Sequence, residues 1–286
     1  MSKDTIKNFI PPILLEKAAE FHVFRHRKEC APLPKAEDGK SAVIIGNGPS
    51  LNETVQKHRD FLRANDCFMV NQSAKSDYFE LIRPHYYVLA DSTYFSRESL
   101  HPYARENAEN FKKKLDWEMM LLVPAFSKGS ALLDEIKGTE HLDLRFFNST
   151  YVLGTGIPKK KLFRYWNENT ANPPSQSVLN TAASLAIAMR YKTIYLVGAD
   201  TSWIETLGVD QESNDLLSLD KHYYGDRKIT IAKYSEEKSN MASELNNLKE
   251  VFNCYQLLKE YAESNGCRLV NASEYSLIDC LERYRL

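Results

Sequence analysis

The residues best suited to chemistry sit at the ends of apolar runs. In "SAVIIGNGPSLNETV", Ser41 to Val55, Gly46, Asn47 and Gly48 lie between a strand-like run and a helix start. Asn47-Gly48 makes a tight turn, Pro49 sets the approach, Ser50 is a good N-cap and Glu53 falls at N3. The spacing therefore predicts an S-x-x-E capping box. Such a turn aims backbone N–H groups and a helix dipole at whatever lies above the strand, which favours a phosphate or another anion. A capped strand-to-helix turn with no ligand carries the same signature.

The usual dinucleotide fingerprint has a third glycine, where this chain has Leu51, and an acid about 20 residues on that holds ribose hydroxyls. Here the second apolar run ends in Asn71-Gln72, and Asp66 stands at its start. The third run ends in Ala90-Asp91-Ser92. Asn47, Asn71 and Asp91 would then line one crevice with amide and carboxylate groups, which suit a base and a sugar better than a pyrophosphate alone.

"PPSQSVLN" sets Ser175, Gln176 and Ser177 before a helix, offering hydroxyl, amide and backbone donors at a second positive helix end. "KHYYGD", Lys221 to Asp226, places His222 beside Tyr223 and Tyr224 in a long irregular segment. A histidine titrating near neutrality can take a proton from a hydroxyl, the task of a base in glycosyl transfer. Ser177 as a plain N-cap and His222 as a surface or packing residue are the plainer alternatives.

The chain has no G-x-x-x-x-G-K-[ST], G-x-S-x-G, H-E-x-x-H or C-x-x-C, so P-loop, hydrolase-elbow and zinc chemistry lose their usual signals. Nor is there a D-x-D, the pattern by which many glycosyltransferases hold a metal on a nucleotide diphosphate. A nucleotide-sugar enzyme with this sequence is expected to work without metal or other cofactor.

These residues need a scaffold that brings strand ends together. Apolar runs at 41–46, 67–72, 85–91, 119–125, 144–148, 193–200 and 268–273 alternate with helix-length segments. Runs apolar on both faces with crossover spacing predict a doubly wound α/β fold, a mostly parallel Rossmann-like sheet covered by helices on both sides. Ser177 to Arg190 reads as a compact helix of small residues, 236–264 as largely helical, and "EYSLIDCLERYRL" as a closing helix. Between about 201 and 228 the pattern lapses after a buried strand, as expected of a lid or binding loop.

The first 40 residues read as a helical extension ending in the polar "APLPKAEDGK", with the Rossmann-like domain spanning 41–286. Within the extension, "NFIPPILLEKAAEFHVFRHRK" joins apolar residues to Arg25, His26, Arg27 and Lys28. Such a helix either docks on the domain's own flank or lies on an anionic membrane surface.

Lys and Arg total 37 against 38 for Asp and Glu in 286 residues, so no broad nucleic-acid footprint is expected. The five cysteines are odd in number and widely spaced, which suits reduced residues in a cytosolic protein. No run approaches the roughly 18 apolar residues of a membrane span. The expected location is the cytoplasm, with peripheral contact to the inner face of the membrane open through the N-terminal helix.

The combination of "VIIGNGPSL", the strand-end "VNQ", "AIAMRYKTIYLVGAD" and "HYYG" resembles bacterial sialyltransferases of glycosyltransferase family 42 and the related Maf-type glycosyltransferases. That domain is also similar to archaeal hydroxymethylpterin diphosphokinases, the MptE-like proteins. The ending "RLVNASEYSLIDCLER" looks more like the Maf-type domain.

The resemblance implies a GT-A-like variant of the Rossmann-like fold and a CMP-linked donor sugar, sialic acid or a related nonulosonate. It carries CMP contacts onto Asn47 and Asn71, a third-strand contact onto Asp91, phosphate or ribose contacts onto Ser175, Gln176 and Ser177, and the general base onto His222. Gly48, Ser50, Gln72, Asp200, Ser202, Tyr223 and Tyr224 complete the expected substrate-binding set, with no metal ligand. The sialyltransferases' two phosphate-binding tyrosines have no counterpart in "GADTSWIETLGVD"; Ser202, Trp203, Tyr223 and Tyr224 are the nearest substitutes.

The activity implied is metal-independent inverting transfer that extends a bacterial surface glycan such as lipopolysaccharide or capsule. The alternatives are a pterin diphosphokinase-like transferase using ATP and Mg²⁺, and a non-catalytic nucleotide-binding protein of a glycan-assembly complex.

Overall fold

A computed structural model describes residues 12–150, 157–230 and 240–286. The seven apolar runs all become strands: β1 Ser41–Ile45, β2 Asp66–Val70, β3 Tyr86–Val88, β4 Met119–Pro124, β5 Leu142–Phe147, β6 Thr193–Val197 and β10 Arg268–Asn271. With β11, Glu282–Arg283, they form one eight-stranded sheet in the order β5-β4-β3-β2-β1-β6-β10-β11. Every pairing described in it is parallel. The helices are α1 Pro12–His26, α2 Leu51–Lys57, α3 Arg59–Arg63, α4 Tyr78–Ile82, α5 Pro102–Lys114, α6 Ala131–Glu135, α7 Lys159–Asn167, α8 Val178–Ala188 and α9 Met241–Ser264.

Why the strands read as continuous apolar runs is visible in β1. Successive side chains point to opposite faces. Ala42 and Ile44 join the core beneath α8 and α9, while Val43 and Ile45 join the core on the other face, which includes Ala104, Ala108 and Phe111 of α5. Both layers consist of buried apolar side chains, so a polar residue on either face of the strand would lack a partner. Every residue of α8 from Leu179 to Ala188 is buried. Its four alanines let the helix axis approach the sheet closely, and α8 touches β1, β2, β3 and β6.

The order reverses beside β1: the chain runs outward from it through β2, β3, β4 and β5, then returns through α8 to β6 on its other side. Such a reversal leaves a crevice beyond the carboxyl ends of the two diverging strands, where open α/β sheets bind ligands.

Two stretches depart from the sequence-based expectation. The last 13 residues do not form a helix. They wrap the sheet edge as a loop and add β11, because tertiary bonds outcompete the helical pattern. Leu277 N donates to Asp200 O at 2.9 Å, Ser276 Oγ to Ala199 O at 2.7 Å and Asn271 Nδ2 to Ile278 O at 3.1 Å. The segment after β6 is more regular than its composition suggests. It holds a three-stranded antiparallel sheet of β7 Gly208–Val209, β8 Leu216–His222 and β9 Gly225–Thr230.

The N-terminal segment docks on the domain through Val23 and Leu33, which join the core containing α8. Ala36 N donates to Met189 O at 2.7 Å, and Asn148 Nδ2 donates to His26 O at 3.0 Å. Among the described residues no helix is long and apolar enough to cross a membrane.

Candidate functional site

A cleft of about 330 Å³ opens where the strand order reverses. Ten expected site residues line it: Asn47, Gly48, Asn71, Asp91, Ser175, Gln176, Ser177, Asp200, Ser202 and His222. Four others, Ser50, Gln72, Tyr223 and Tyr224, lie outside its walls.

The GNG turn is built differently from the capping box expected of it. Ser50 has helical backbone angles and makes no side-chain cap. Its hydroxyl instead donates to Asp200 Oδ1 at 2.5 Å and its main-chain N–H to Oδ2 at 3.1 Å. A carboxylate of the chain itself thus occupies the position where the α2 N-terminus would otherwise hold an anion. The glycines serve the same contact. A Cβ on Gly48 would lie 2.2 Å from Asp200 Oδ1, and one on Gly46 would lie 2.3 Å from Gly198 O. Burial raises the Asp200 pKa from its ordinary value, while the two bonds from Ser50 pull it back.

Asn47 is 9% exposed. Its Oδ1 accepts the Ser73 hydroxyl at 2.6 Å and its Nδ2 reaches Val70 O at 3.4 Å, so the carboxamide ties the β1 turn to the β2 turn. Asn71 adopts the left-handed region, φ 53°. Its carbonyl accepts the Tyr87 hydroxyl at 2.6 Å and Asn107 Nδ2 at 2.9 Å. Asn71 lines the cleft, and its Oδ1 is buried with no hydrogen-bond partner among the described residues. An orphaned acceptor of this kind is costly unless something donates to it.

On the opposite wall Ser177 Oγ accepts Asn180 N at 3.2 Å, capping α8, and Ser175 Oγ donates to Pro173 O at 3.3 Å. The α8 N-terminus therefore opens into the cleft with Ser175, exposed Gln176 and Ser177 ahead of it. Asp91 is exposed, and its Oδ1 accepts Thr93 N at 2.8 Å. Gln72 turns away to Glu106, with its Nε2 3.4 Å from Oε2.

His222 reaches the cleft because of strand alternation in β8. Leu216 and Ser218, at the same parity, are buried, and Ser218 Oγ lies 3.2 Å from Thr206 Oγ1. That parity turns His222 toward the domain, where its ring stacks on Tyr224 with centroids 4.8 Å apart. The next two residues form the hairpin turn. Tyr223 N donates to Asn47 O at 3.0 Å, its ring stacks on Tyr78 at 5.1 Å, and its hydroxyl lies 2.7 Å from Ser76 Oγ. Burial pushes the Tyr223 phenol up to about 12. Lys75 Nζ sits 3.9 Å over the Tyr224 ring. The two tyrosines thus fasten the hairpin to the domain.

Trp203, one of the substitutes offered for the phosphate-binding tyrosines, also lines the cleft. Other lining residues carried no sequence signal: Val178, Leu179 and Thr181 come from the first turn of α8, and Thr201 from the loop after β6. Thr201 has φ 53°, and only the neighbouring "GAD" hinted at a strained strand end there. Among the described lining residues Asp91, Asp200 and His222 are titratable, and neither lysine nor arginine is present. No cluster of three metal-ligating side chains occurs among the described residues.

Comparison with known proteins agrees with this architecture. No curated protein matches the chain in sequence. A solved structure, the Maf glycosyltransferase from Magnetospirillum magneticum AMB-1, superposes with a TM-score of 0.52 over 96% of this chain at 12% identity. The chain spans 38% of that protein's length, and at this identity the likeness is one of fold. The family profile described as 6-hydroxymethylpterin diphosphokinase MptE-like matches residues 15–206, from within α1 to just past the cleft-lining Trp203. With two thirds of its residues matched, the chain belongs to the MptE-like family.

Proposed function

We propose that the protein is a glycosyltransferase that takes a CMP-activated sugar, sialic acid or a related nonulosonate, and transfers it to a bacterial surface glycan. The observation that carries this reading is the convergence of His222 with the carboxamides of Asn47 and Asn71 on one switch-point cleft. The orphaned Asn71 Oδ1 suits the amino group of a cytosine-like base, which is a donor. The α8 N-terminus, with Ser175 and Ser177, suits the single phosphate.

In this mechanism an imidazole nitrogen of His222 removes the proton from an acceptor hydroxyl as that oxygen bonds to the anomeric carbon. The bond from the anomeric carbon to the phosphate oxygen breaks in the same displacement, inverting the centre. CMP leaves with the bonding electron pair. Its growing charge meets the α8 N-terminus and the serine hydroxyls, and no metal is required.

A second reading, pyrophosphoryl transfer from ATP with Mg²⁺, is favoured by two carboxylates in the cleft, Asp91 and Asp200, and by the name of the matching family. Replacing His222 by Ala separates the two. Under the first reading the variant binds nucleotide normally and releases CMP from the donor sugar at least ~100-fold more slowly. Undiminished release would remove His222 as the base, and AMP formation from ATP that persists in the variant would favour the second reading.

A further inference from the structure

The helix α1 has two faces of opposite character. Val23 and Ala19 are buried against the domain. Across the helix, positions 14, 17, 18, 21, 24 and 25 follow the spacing of a single stripe and are all exposed. Leu14, Phe21 and Phe24 on that stripe are 54%, 62% and 55% exposed, three of the largest apolar exposures among the described residues.

The stripe also carries charge of one sign. Lys17 and Arg25 lie on it, and Arg27 and Lys28 follow at its carboxyl end. The Arg27 guanidinium packs 3.9 Å over the Phe24 ring. The helix's own acids, Glu16 and Glu20, lie off the stripe, where both pair with Lys161 of α7. Glu29 is engaged by His26. Among the described residues nothing acidic therefore offsets the cations on the outer face.

We infer that this outer face of α1 seats the protein on an anionic phospholipid bilayer, with Leu14, Phe21 and Phe24 entering the headgroup boundary and the basic residues meeting lipid phosphates. An exposed helix face, with apolar groups interleaved among long cationic chains, matches an interfacial helix. Protein interfaces instead segregate an apolar centre, depleted of lysine, from a charged rim. The basic end of α1 is fixed to the carboxyl end of β5 by Asn148, so it lies at the same edge of the sheet as the cleft. The inference does not rest on the identity of the cleft's ligand.

The test is co-sedimentation of the full chain with vesicles of phosphatidylcholine alone and of phosphatidylcholine mixed with phosphatidylglycerol. Binding should require phosphatidylglycerol and weaken as salt rises. The pair Arg25→Glu and Arg27→Glu should lower the partition coefficient roughly tenfold or more, and Phe21→Ser with Phe24→Ser should do likewise. All four sites are exposed, so both variants should keep the parent melting temperature. Equal sedimentation with and without phosphatidylglycerol, or binding indifferent to both variant pairs, overturns the proposal. So does a dimer in solution that the same variants dissolve while vesicle binding is absent, since the face would then join two copies of the chain.

Discussion

The Asp200 carboxylate holds Ser50 through two bonds, one from its hydroxyl and one from its main-chain N–H, across 150 residues of sequence. This pair closes the ends of β1 and β6 over each other and gives the GNG turn its shape. With a carboxylate already at the α2 N-terminus, the helix end that lines the cleft without a carboxylate bonded to it is that of α8.

Stability should report the Asp200 proton. Burial holds its carboxyl above the ordinary 3.8, so between the ordinary and folded values the native state binds more protons than the unfolded chain. The stabilising contribution is present in full below about pH 4 and is lost as pH rises through the folded value. Asp200→Asn, which still accepts from the Ser50 N–H, should flatten this slope in urea titrations taken from pH 4 upward. An unchanged slope would mean that another group titrates there.

Gly48→Ala should destabilise the fold by about 1–3 kcal/mol. Its Cβ would overlap Asp200 Oδ1 at 2.2 Å and Gly198 O at 2.7 Å. Urea denaturation measures the loss. A neutral effect would show that the turn and Asp200 separate readily.

Asn71 permits a cleaner dissection than Asn47, whose carboxamide also knits two turns together. At φ 53° glycine keeps the backbone of residue 71 without strain. Asn71→Gly should therefore leave stability within ~1 kcal/mol and lower nucleotide affinity roughly tenfold, the worth of one buried hydrogen bond. Asn71→Ala should lose the same affinity and pay an additional ~1 kcal/mol for the left-handed backbone. Unaltered affinity in both would place the base elsewhere.

Tyr223→Phe removes the contact with Ser76 and keeps the stacking on Tyr78. The expected cost is ~1 kcal/mol of stability, with nucleotide affinity unchanged, because the hydroxyl faces the domain. A selective loss of affinity for nucleotides over nucleosides would instead mean that the phenol reaches the phosphate.

Much of the fold was legible because its strands are buried on both faces. The run Ala42 to Ile45 cannot alternate polar and apolar when two cores flank it. The loops that make the cleft were legible where a short motif ends a strand, as at Asn47, Asn71 and Asp91. What sequence could not show is pairing at a distance. "PSLNE" has the letters of a capping box, but local spacing says nothing of a carboxylate 150 residues away that takes the serine. The C-terminal "SLIDCLERYRL" has a helical pattern, and bonds to the β6 end decide otherwise. The sheet of β7, β8 and β9 escaped notice because its strands carry many polar residues, among them Ser218, Asp220, Lys221, Asp226, Arg227 and Lys228, in place of an apolar run.

The most direct measurement is calorimetric titration of the purified chain with CMP in the presence of a chelator, beside ATP with and without Mg²⁺. Saturable, metal-independent binding of CMP, weakened in Asn71→Gly and retained in His222→Ala, is the expected result. Binding of ATP that requires Mg²⁺, with no heat from CMP, would contradict the CMP-sugar assignment.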